Sequence, residues 1–116
     1  METAGPRRLV YLSTILVPET RARAGRFVAT VAPLFIGNHI ADHVEKERTV
    51  AASAIDWTIV RSAKLGNAPS NGRYQAGTDV AATNQLAMVP RADLARFMLS
   101  TLDDDRFVRA KPAIVI

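Results

Sequence analysis

Residues 51–62 constrain the fold more than any other part of the chain. Their sequence, AASAIDWTIVRS, leads from a helical pattern through a turn at Asp56 into a run of β-branched and aromatic residues. Such a run is typical of a short buried strand. Arg61 and Ser62 then lie at its carboxyl end, the end at which open α/β sheets bind their ligands. The stretch therefore indicates one strand of a ligand-binding sheet.

A second apolar run occupies residues 9–17 and has two interpretations. It is short and β-branched and contains Ser13 and Thr14, which favours a buried parallel strand over residues 9–12 that ends at these two hydroxyls. The alternative is a secretory signal, because two arginines precede the run and the sequence Ala-Arg-Ala follows it at residues 22–24.

Helices are predicted on either side of the strand at residues 56–61. A short helix over residues 26–32 should end at Pro33, because a proline disfavours helix at the residue before it. A longer helix should begin at Asn38, a favourable N-cap, and run to about residue 52. A third helix should open at Pro90 with Asp93 in its first turn and stop at the acidic residues 103–105. Its predicted buried stripe is Leu94, Phe97, Met98 and Leu102.

The remaining segments complete an alternating order. Residues 66–72 are rich in turn formers, residues 73–76 suit a short extended piece, residues 86–89 are apolar, and residues 112–116 suit a final strand. The order strand-helix-strand-helix-strand predicts an α/β fold, a partial doubly wound parallel sheet, in a single domain over residues 1–116.

Charge and cysteine content narrow the functional classes. The 116 residues carry a net charge of +4 and contain no cysteine, which excludes disulfides and thiolate metal sites. A basic chain suits a phosphate-bearing cofactor or another anionic partner, although a mildly basic surface is the more common explanation of such a charge. The basic residues are scattered without interleaved aromatics, and no apolar run approaches membrane-spanning length. We therefore expect a cytoplasmic protein that binds neither nucleic acid nor a membrane.

Five sequence pieces, taken in order, carry a family resemblance. Together they resemble the carboxyl-terminal half of the atypical short-chain dehydrogenase/reductases, of the NAD(P)H-binding, NmrA-like and flavin/biliverdin-reductase-like types. The pieces are LVYLST at residues 9–14, DHVEKE at 42–47, SAIDWTIVR at 53–61, GRY at 72–74 and PRADLARF at 90–97.

The resemblance implies NAD or NADP as cofactor and a Rossmann-like fold. That family begins with a G-x-x-G-x-x-G turn that holds the pyrophosphate, and none of the six glycines of this chain falls in such a spacing. We therefore expect the chain to be incomplete alone, as a truncated product, one half of a split pair or a fragment. The strand at residues 9–12, central in the family, would become an exposed edge that favours a second copy or a complementing chain.

The resemblance also assigns site residues on the first strand and the helix that follows. Thr14 would lie next to the nicotinamide, with Ser13 beside it, and its hydroxyl would hydrogen-bond a carboxamide or a substrate carbonyl. His39 and His43 stand where the wider superfamily has a Tyr-x-x-x-Lys pair, and His43 is the predicted proton donor. Two histidines four residues apart also suit a metal, but no third ligand is evident, so no metal is expected.

The loop that lies beside the nicotinamide ribose in the family matches Arg61, Ser62 and Lys64, which are the predicted cofactor contacts. The predicted edge of a substrate pocket is formed by Arg73 and Tyr74. The predicted function is an NAD(P)H-binding oxidoreductase-type domain that transfers hydride to a flavin, quinone or carbonyl-type acceptor. A non-catalytic remnant, or an NmrA-like redox sensor that works through a partner, is the alternative.

Overall fold

A computed structural model describes residues 8–70, 72–83 and 87–116 of the chain. The strands are β1 (Arg8–Thr14), β2 (Asp56–Ser62), β3 (Leu65–Gly66), β4 (Gln75–Gly77), β5 (Val89–Pro90) and β6 (Ala113–Val115), and the α-helices are α1 (Arg26–Ala51) and α2 (Arg91–Thr101). Two 3₁₀ turns, at Arg21–Ala24 and Asp105–Phe107, complete the regular structure. Part of the apolar run predicted at residues 86–89 lies outside the described residues.

The main sheet has the strand order β1-β2-β6-β4. β1 and β2 are parallel over seven residue pairs, from Arg8 with Asp56 to Thr14 with Ser62. β6 continues the parallel arrangement beside β2, whereas the short β4 pairs with β6 in the antiparallel sense. The α/β class and the adjacency of the two apolar strands are thereby confirmed, and one antiparallel edge strand is added to the predicted parallel sheet.

Helix α1 differs from its prediction. Pro33 does not end a helix but lies within α1, and the helical dihedral angles fail three residues later, at Ile36 (φ −127°, ψ 28°). Pro33 lacks an N–H group and its ring crowds the carbonyl of the residue four positions earlier, so it bends the helix instead of ending it. Asn38 follows this kink and lies inside the helix, so its prediction as an N-cap is wrong.

Helix α2 begins directly after Pro90 with Asp93 in its first turn, as predicted. Leu94 and Phe97 are buried, but Leu102 is 43% exposed, so its place in the buried stripe is wrong. Leu102 is the C-cap and keeps αR dihedral angles, but the buried face continues from Leu94 and Phe97 in steps of four and seven residues to position 101, and Leu102 lies one position beyond that face. Thr101 takes the buried position instead.

The core lies on both sides of β6. One cluster joins Val60, Val89, Leu94, Phe97 and Ile114 beneath α2, and another joins Ile15, Ala24, Ala113 and Val115. Among the described residues, no helix combines the length and apolarity needed to cross a membrane.

Candidate functional site

The predicted site residues of β1 and β2 meet at one edge of the sheet. Ser13 lies opposite Arg61, and Thr14 lies opposite Ser62, in the last two residue pairs of the β1–β2 ladder. Because the strands are parallel, both pairs lie at the carboxyl edge, where open α/β sheets form their ligand crevices. The structure therefore brings together four of the residues that the sequence assigned to the cofactor.

Strand alternation then sends these four side chains to different surroundings. The side chains of Ser13 and Arg61 turn toward α1, where both contact Glu47. Thr14 and Ser62, one residue further along each strand, contribute to a different part of the edge. The shared edge therefore has two polar groupings, and Ser13 also lines a depression together with Thr14 and Ser62.

Thr14 and Ser62 line a cavity of about 460 Å³ together with His39 and Lys64. The Thr14 hydroxyl oxygen accepts a hydrogen bond from the Leu16 N–H at 3.2 Å, which fixes the side chain. Among the described residues its own O–H has no acceptor, so it remains able to donate to a ligand. The other walls are largely apolar, with Ile15, Val28 and Ile36 among them.

A second depression of about 340 Å³ adjoins the cavity and shares Thr14, His39 and Ser62 with it. His43 and Arg91 line only this second, more polar depression. The site is thus a crevice with an apolar lobe and a polar lobe, and the Thr14 hydroxyl lies between them. No group of three or more potential metal-binding side chains occurs within the described part of the chain.

His43 is held by the Tyr11 hydroxyl, which lies 2.9 Å from its Nδ1. Burial lowers the pKa of His43, and the nearby His39 lowers it further. Burial also raises the pKa of the Tyr11 hydroxyl. The His39 and His43 rings meet edge to face, with centroids 4.6 Å apart, and His39 is the one that reaches the apolar lobe.

A buried ionic network lies behind the crevice. The Arg61 guanidinium donates to both Glu47 oxygens, at 2.7 and 3.2 Å, and its other end is 2.7 Å from Glu19. The Ser13 hydroxyl donates to Glu47 at 2.5 Å. Burial acts to lower the pKa of Arg61, but the hydrogen bonds to Glu47 and Glu19 outweigh it and leave that pKa raised. Arg61 in turn holds the pKa of the Glu19 carboxyl below its usual range.

Glu47 and Glu19 are residues that the sequence interpretation did not select. Glu47 occupies the same helical face as Ile40, Val44 and Ala51, and this spacing is the signal that could have found it. A carboxylate on an otherwise apolar stripe requires a buried cation, and β2 supplies one in Arg61. Glu19 carried no comparable signal, because its contact depends on the path of the loop after β1.

The remaining predicted residues have other neighbours. Lys64 is exposed and lines the apolar lobe. Tyr74 packs edge to face against Phe97, with centroids 6.5 Å apart, in a separate depression on the α2 side of the sheet. Arg73, next to it, is exposed. The structure does not bring these last two residues into the crevice with Thr14, and their contact with a substrate stays a prediction.

Comparisons with known proteins identify the family and the fold. Residues 1–105 match the model of a family described as NAD(P)H-binding. A chuY structure from E. coli CFT073 superposes with a TM-score of 0.77 at 16% identity, covering 98% of this chain and 58% of that one. ChuY from E. coli O157:H7, described as an anaerobillin reductase, superposes with a TM-score of 0.74 at 19% identity, and the match covers 98% of this chain and 52% of that one.

A short-chain dehydrogenase/reductase from Veillonella parvula DSM 2008, in complex with NADP, gives a TM-score of 0.66 at 19% identity and covers 95% of this chain and 51% of that one. The chain thus spans about half the length of these structures, and at such identities the likeness establishes a common fold. No curated protein matches the sequence.

Proposed function

The chain belongs to the NAD(P)H-binding family, and on that premise we propose that it forms the nicotinamide and acceptor side of an NAD(P)H-dependent oxidoreductase. The acceptor would be a flavin, a quinone or a carbonyl-type compound. The observation that carries the proposal is the two-lobed crevice at the carboxyl edge of β1 and β2, where the Thr14 and Ser62 hydroxyls lie against apolar walls.

The residues present fit one end of the cofactor. A flat nicotinamide ring suits the apolar lobe. Its carboxamide N–H would donate to the Ser62 hydroxyl oxygen, whose own hydrogen is bonded to the Ala63 carbonyl at 2.6 Å. Lys64 at the rim supplies a positive charge for a phosphate. The pyrophosphate end needs several backbone N–H groups from a glycine-rich turn, a pattern that the glycines of this sequence do not form. We therefore assign the nicotinamide end to this chain.

Arg61 and Ser13 receive a different role in this proposal. The Ser13 hydroxyl is bonded to Glu47, the Arg61 guanidinium is bonded to Glu47 and Glu19, and the Arg61 side chain is only 4% exposed. We assign them to holding α1 and the loop after β1 against the sheet. They would place Thr14 without contacting the cofactor themselves.

When bound, NAD(P)H supplies the hydride that reduces the acceptor. The chain's own contribution is to orient the acceptor and to provide a proton. Thr14 would donate its hydroxyl hydrogen to an acceptor oxygen and stabilise the negative charge that develops there.

His39, rather than the predicted His43, is the better-placed proton donor. It lines both lobes and is exposed, so it can regain its proton from solvent. The lowered pKa of His43 keeps that ring neutral near pH 7, where it would act with Tyr11 to hold His39 in place. An apolar lobe suits a flat conjugated acceptor, and the likeness to ChuY, described as an anaerobillin reductase, favours that class.

A second candidate is a domain that binds the nucleotide as a redox sensor without turnover. A neutral His43 occupies one position of the superfamily's Tyr-x-x-x-Lys pair, and the nearby Lys46 is ion-paired with Asp42 at 2.9 Å. The resemblance therefore gives this chain no tyrosine–lysine pair at the two positions from which the wider superfamily protonates its substrate. This arrangement favours binding over catalysis.

The two candidates separate in one titration. NADPH and reduced nicotinamide mononucleotide are each titrated into the protein and followed by nicotinamide fluorescence, and a flavin or quinone is then added. Because the proposed contacts lie at the nicotinamide end, both ligands should bind saturably, and the acceptor should oxidise them. Binding without oxidation would identify the sensor, and no saturable binding at millimolar ligand would refute both functions.

Matched variants locate the site. Thr14→Val removes the hydroxyl and keeps the side-chain volume, and it should slow NADPH oxidation by about tenfold, the value of one hydrogen bond. Thr49→Val makes the same change on the exposed side of α1 and should leave the rate unaltered. Equal rates in the two variants would remove Thr14 from the site.

A further inference from the structure

The described walls of the crevice carry positive charge and no negative charge. Lys64 lines the apolar lobe and Arg91 lines the polar lobe, while the described residues around the two lobes include no aspartate or glutamate. The Glu47 carboxylate behind the crevice is already bonded to the buried Arg61. A cleft whose walls carry a single sign of charge attracts ligands of the opposite sign, so the crevice favours an anionic ligand.

The backbone of Arg91 is fixed on both sides along the chain. Arg91 is the first residue of α2 and directly follows β5. β5 is fully buried and pairs in parallel with β3, which itself follows the end of β2 closely. The Arg91 side chain is exposed, but it leaves the chain from a rigid junction between a strand and a helix.

Asn67 holds the Arg91 guanidinium without neutralising it. The Asn67 side-chain oxygen accepts a hydrogen bond from the Arg91 Nη1 at 2.8 Å. Among the ion pairs of the described residues, none involves Arg91. A guanidinium has five N–H donors, and this bond uses one of them. A positioned cation with donors to spare therefore faces the polar lobe.

The two cations serve different parts of the bound ligands. With the nicotinamide in the apolar lobe, Lys64 lies on the cofactor's side of the crevice. Arg91 lines only the polar lobe, next to the Thr14 hydroxyl that is assigned to the acceptor oxygen. A group that extends from the acceptor into the polar lobe therefore reaches Arg91. The planar fork of a guanidinium matches the two oxygens of a carboxylate or a phosphate.

We infer that Arg91 is a specificity-determining residue that selects acceptors bearing a carboxylate or phosphate group. The inference rests on the proposed function for the place of the nicotinamide, and it adds the charge of the acceptor. The flat part of the acceptor lies against the nicotinamide, and its anionic group lies in the polar lobe and accepts two N–H bonds from Arg91. A phosphate of the cofactor is the competing source of such an anion.

Matched pairs of acceptors measure this preference by calorimetry, without any turnover. A naphthoquinone with a propionate side chain is compared with its methyl ester, and flavin mononucleotide is compared with riboflavin. Because charge-assisted hydrogen bonds distinguish the members of each pair, the anionic member should bind the wild-type protein about tenfold more tightly. Arg91→Met keeps an apolar stem and should remove the difference. Oxidised nicotinamide mononucleotide, which carries the cofactor's phosphate, should bind Arg91→Met as it binds the wild type.

Two further variants control for net charge and for the loss of the arginine itself. Arg96 is exposed on the same helix and lines neither lobe. Arg96→Met makes the same change in net charge and should keep the full preference. Asn67→Asp retains Arg91 but places a carboxylate on its guanidinium, so it should remove the preference as Arg91→Met does.

A preference for the anionic acceptor in the wild type and in Arg96→Met, lost in Arg91→Met and Asn67→Asp, supports the inference. It is overturned by equal affinities within both acceptor pairs, by the absence of binding at millimolar acceptor, or by an unchanged preference in Arg91→Met. Weaker binding of nicotinamide mononucleotide to Arg91→Met, with the acceptor preference intact, assigns Arg91 to the cofactor and also overturns it. Since no hydride moves in these titrations, a failure of the proposed turnover shows separately, in the NADPH oxidation assay.

Discussion

Removal of Glu47 should destabilise the protein far more than removal of a neighbouring glutamate. The Glu47 carboxylate receives two hydrogen bonds from Arg61 and one from Ser13, and the two charged side chains are 7% and 4% exposed. Glu47→Ala would leave the Arg61 guanidinium buried with only the exposed Glu19 as a partner. Breaking one side of a buried ion pair costs about 3–5 kcal/mol of unfolding free energy.

Glu45 provides the control on the same helix. Its ion pair with Arg48 is 72% exposed on both sides, and exposed pairs contribute about 0.2–1 kcal/mol. Glu45→Ala should therefore change the unfolding free energy by less than about 1 kcal/mol. The ratio of the two effects isolates burial, because the residue type, the substitution and the helix are shared.

Urea denaturation followed by far-ultraviolet circular dichroism measures both variants. With an m-value of about 1.5 kcal/mol/M, Glu47→Ala should lower the midpoint by roughly 2–3 M, and Glu45→Ala by well under 1 M. The double variant Glu47→Leu/Arg61→Met should regain most of the loss, since two apolar groups replace the buried pair. Similar midpoints for Glu47→Ala and Glu45→Ala, or a double variant no more stable than Glu47→Ala, would refute the reasoning.

Three further predictions follow from single side chains. Because the folded state lowers the pKa of His43 from 6.5, the unfolded chain binds the proton more readily. The unfolding free energy should therefore fall as the pH drops below about 6.5, and it should fall less steeply in His43→Gln. Urea titrations between about pH 7.5 and about pH 5.5 measure both slopes. The buried Trp57 indole N–H has no partner in the described structure. Trp57→Phe should therefore lower the unfolding free energy by less than about 1 kcal/mol, whereas Trp57→Ala should lower it by about 3–5 kcal/mol. Equal losses in the urea midpoints of the two variants would disprove this. A Cβ at Gly66 would lie 3.0 Å from the Met88 Cβ, whereas a Cβ at Gly37 would have open space. Gly66→Ala should therefore lower the melting temperature, and Gly37→Ala should raise it. The reverse order of melting temperatures would contradict the packing.

The sequence predicted the two parallel strands well because their signal is local. Both carry β-branched residues in short apolar runs, and hydroxyl or basic residues mark where each one ends. Their pairing then follows from the rule that connected α/β strands lie side by side. This placed Thr14 and Ser62 at one edge without any knowledge of the coordinates.

Side-chain partners were less predictable because they depend on contacts between distant segments. Arg61 looked like a cofactor ligand by its position at a strand end, whereas its surroundings come from α1 and the loop after β1. Glu47 was not selected as a site residue, although its position on the helix faces the sheet. The kink of α1 is a similar case. Pro33 indicated that the helix would be interrupted in this region, but not that the non-helical dihedral angles would fall at Ile36.

The amide chemical shifts of the protein, recorded while NADP⁺ is added, test the central claim most directly. We predict that shift changes concentrate at Thr14, Ser62, Lys64 and His39, and that the amides around Tyr74 and Phe97 do not respond. Changes centred on Tyr74 and Phe97, or no saturable change at the β1–β2 edge, would contradict the placement of the cofactor in this crevice.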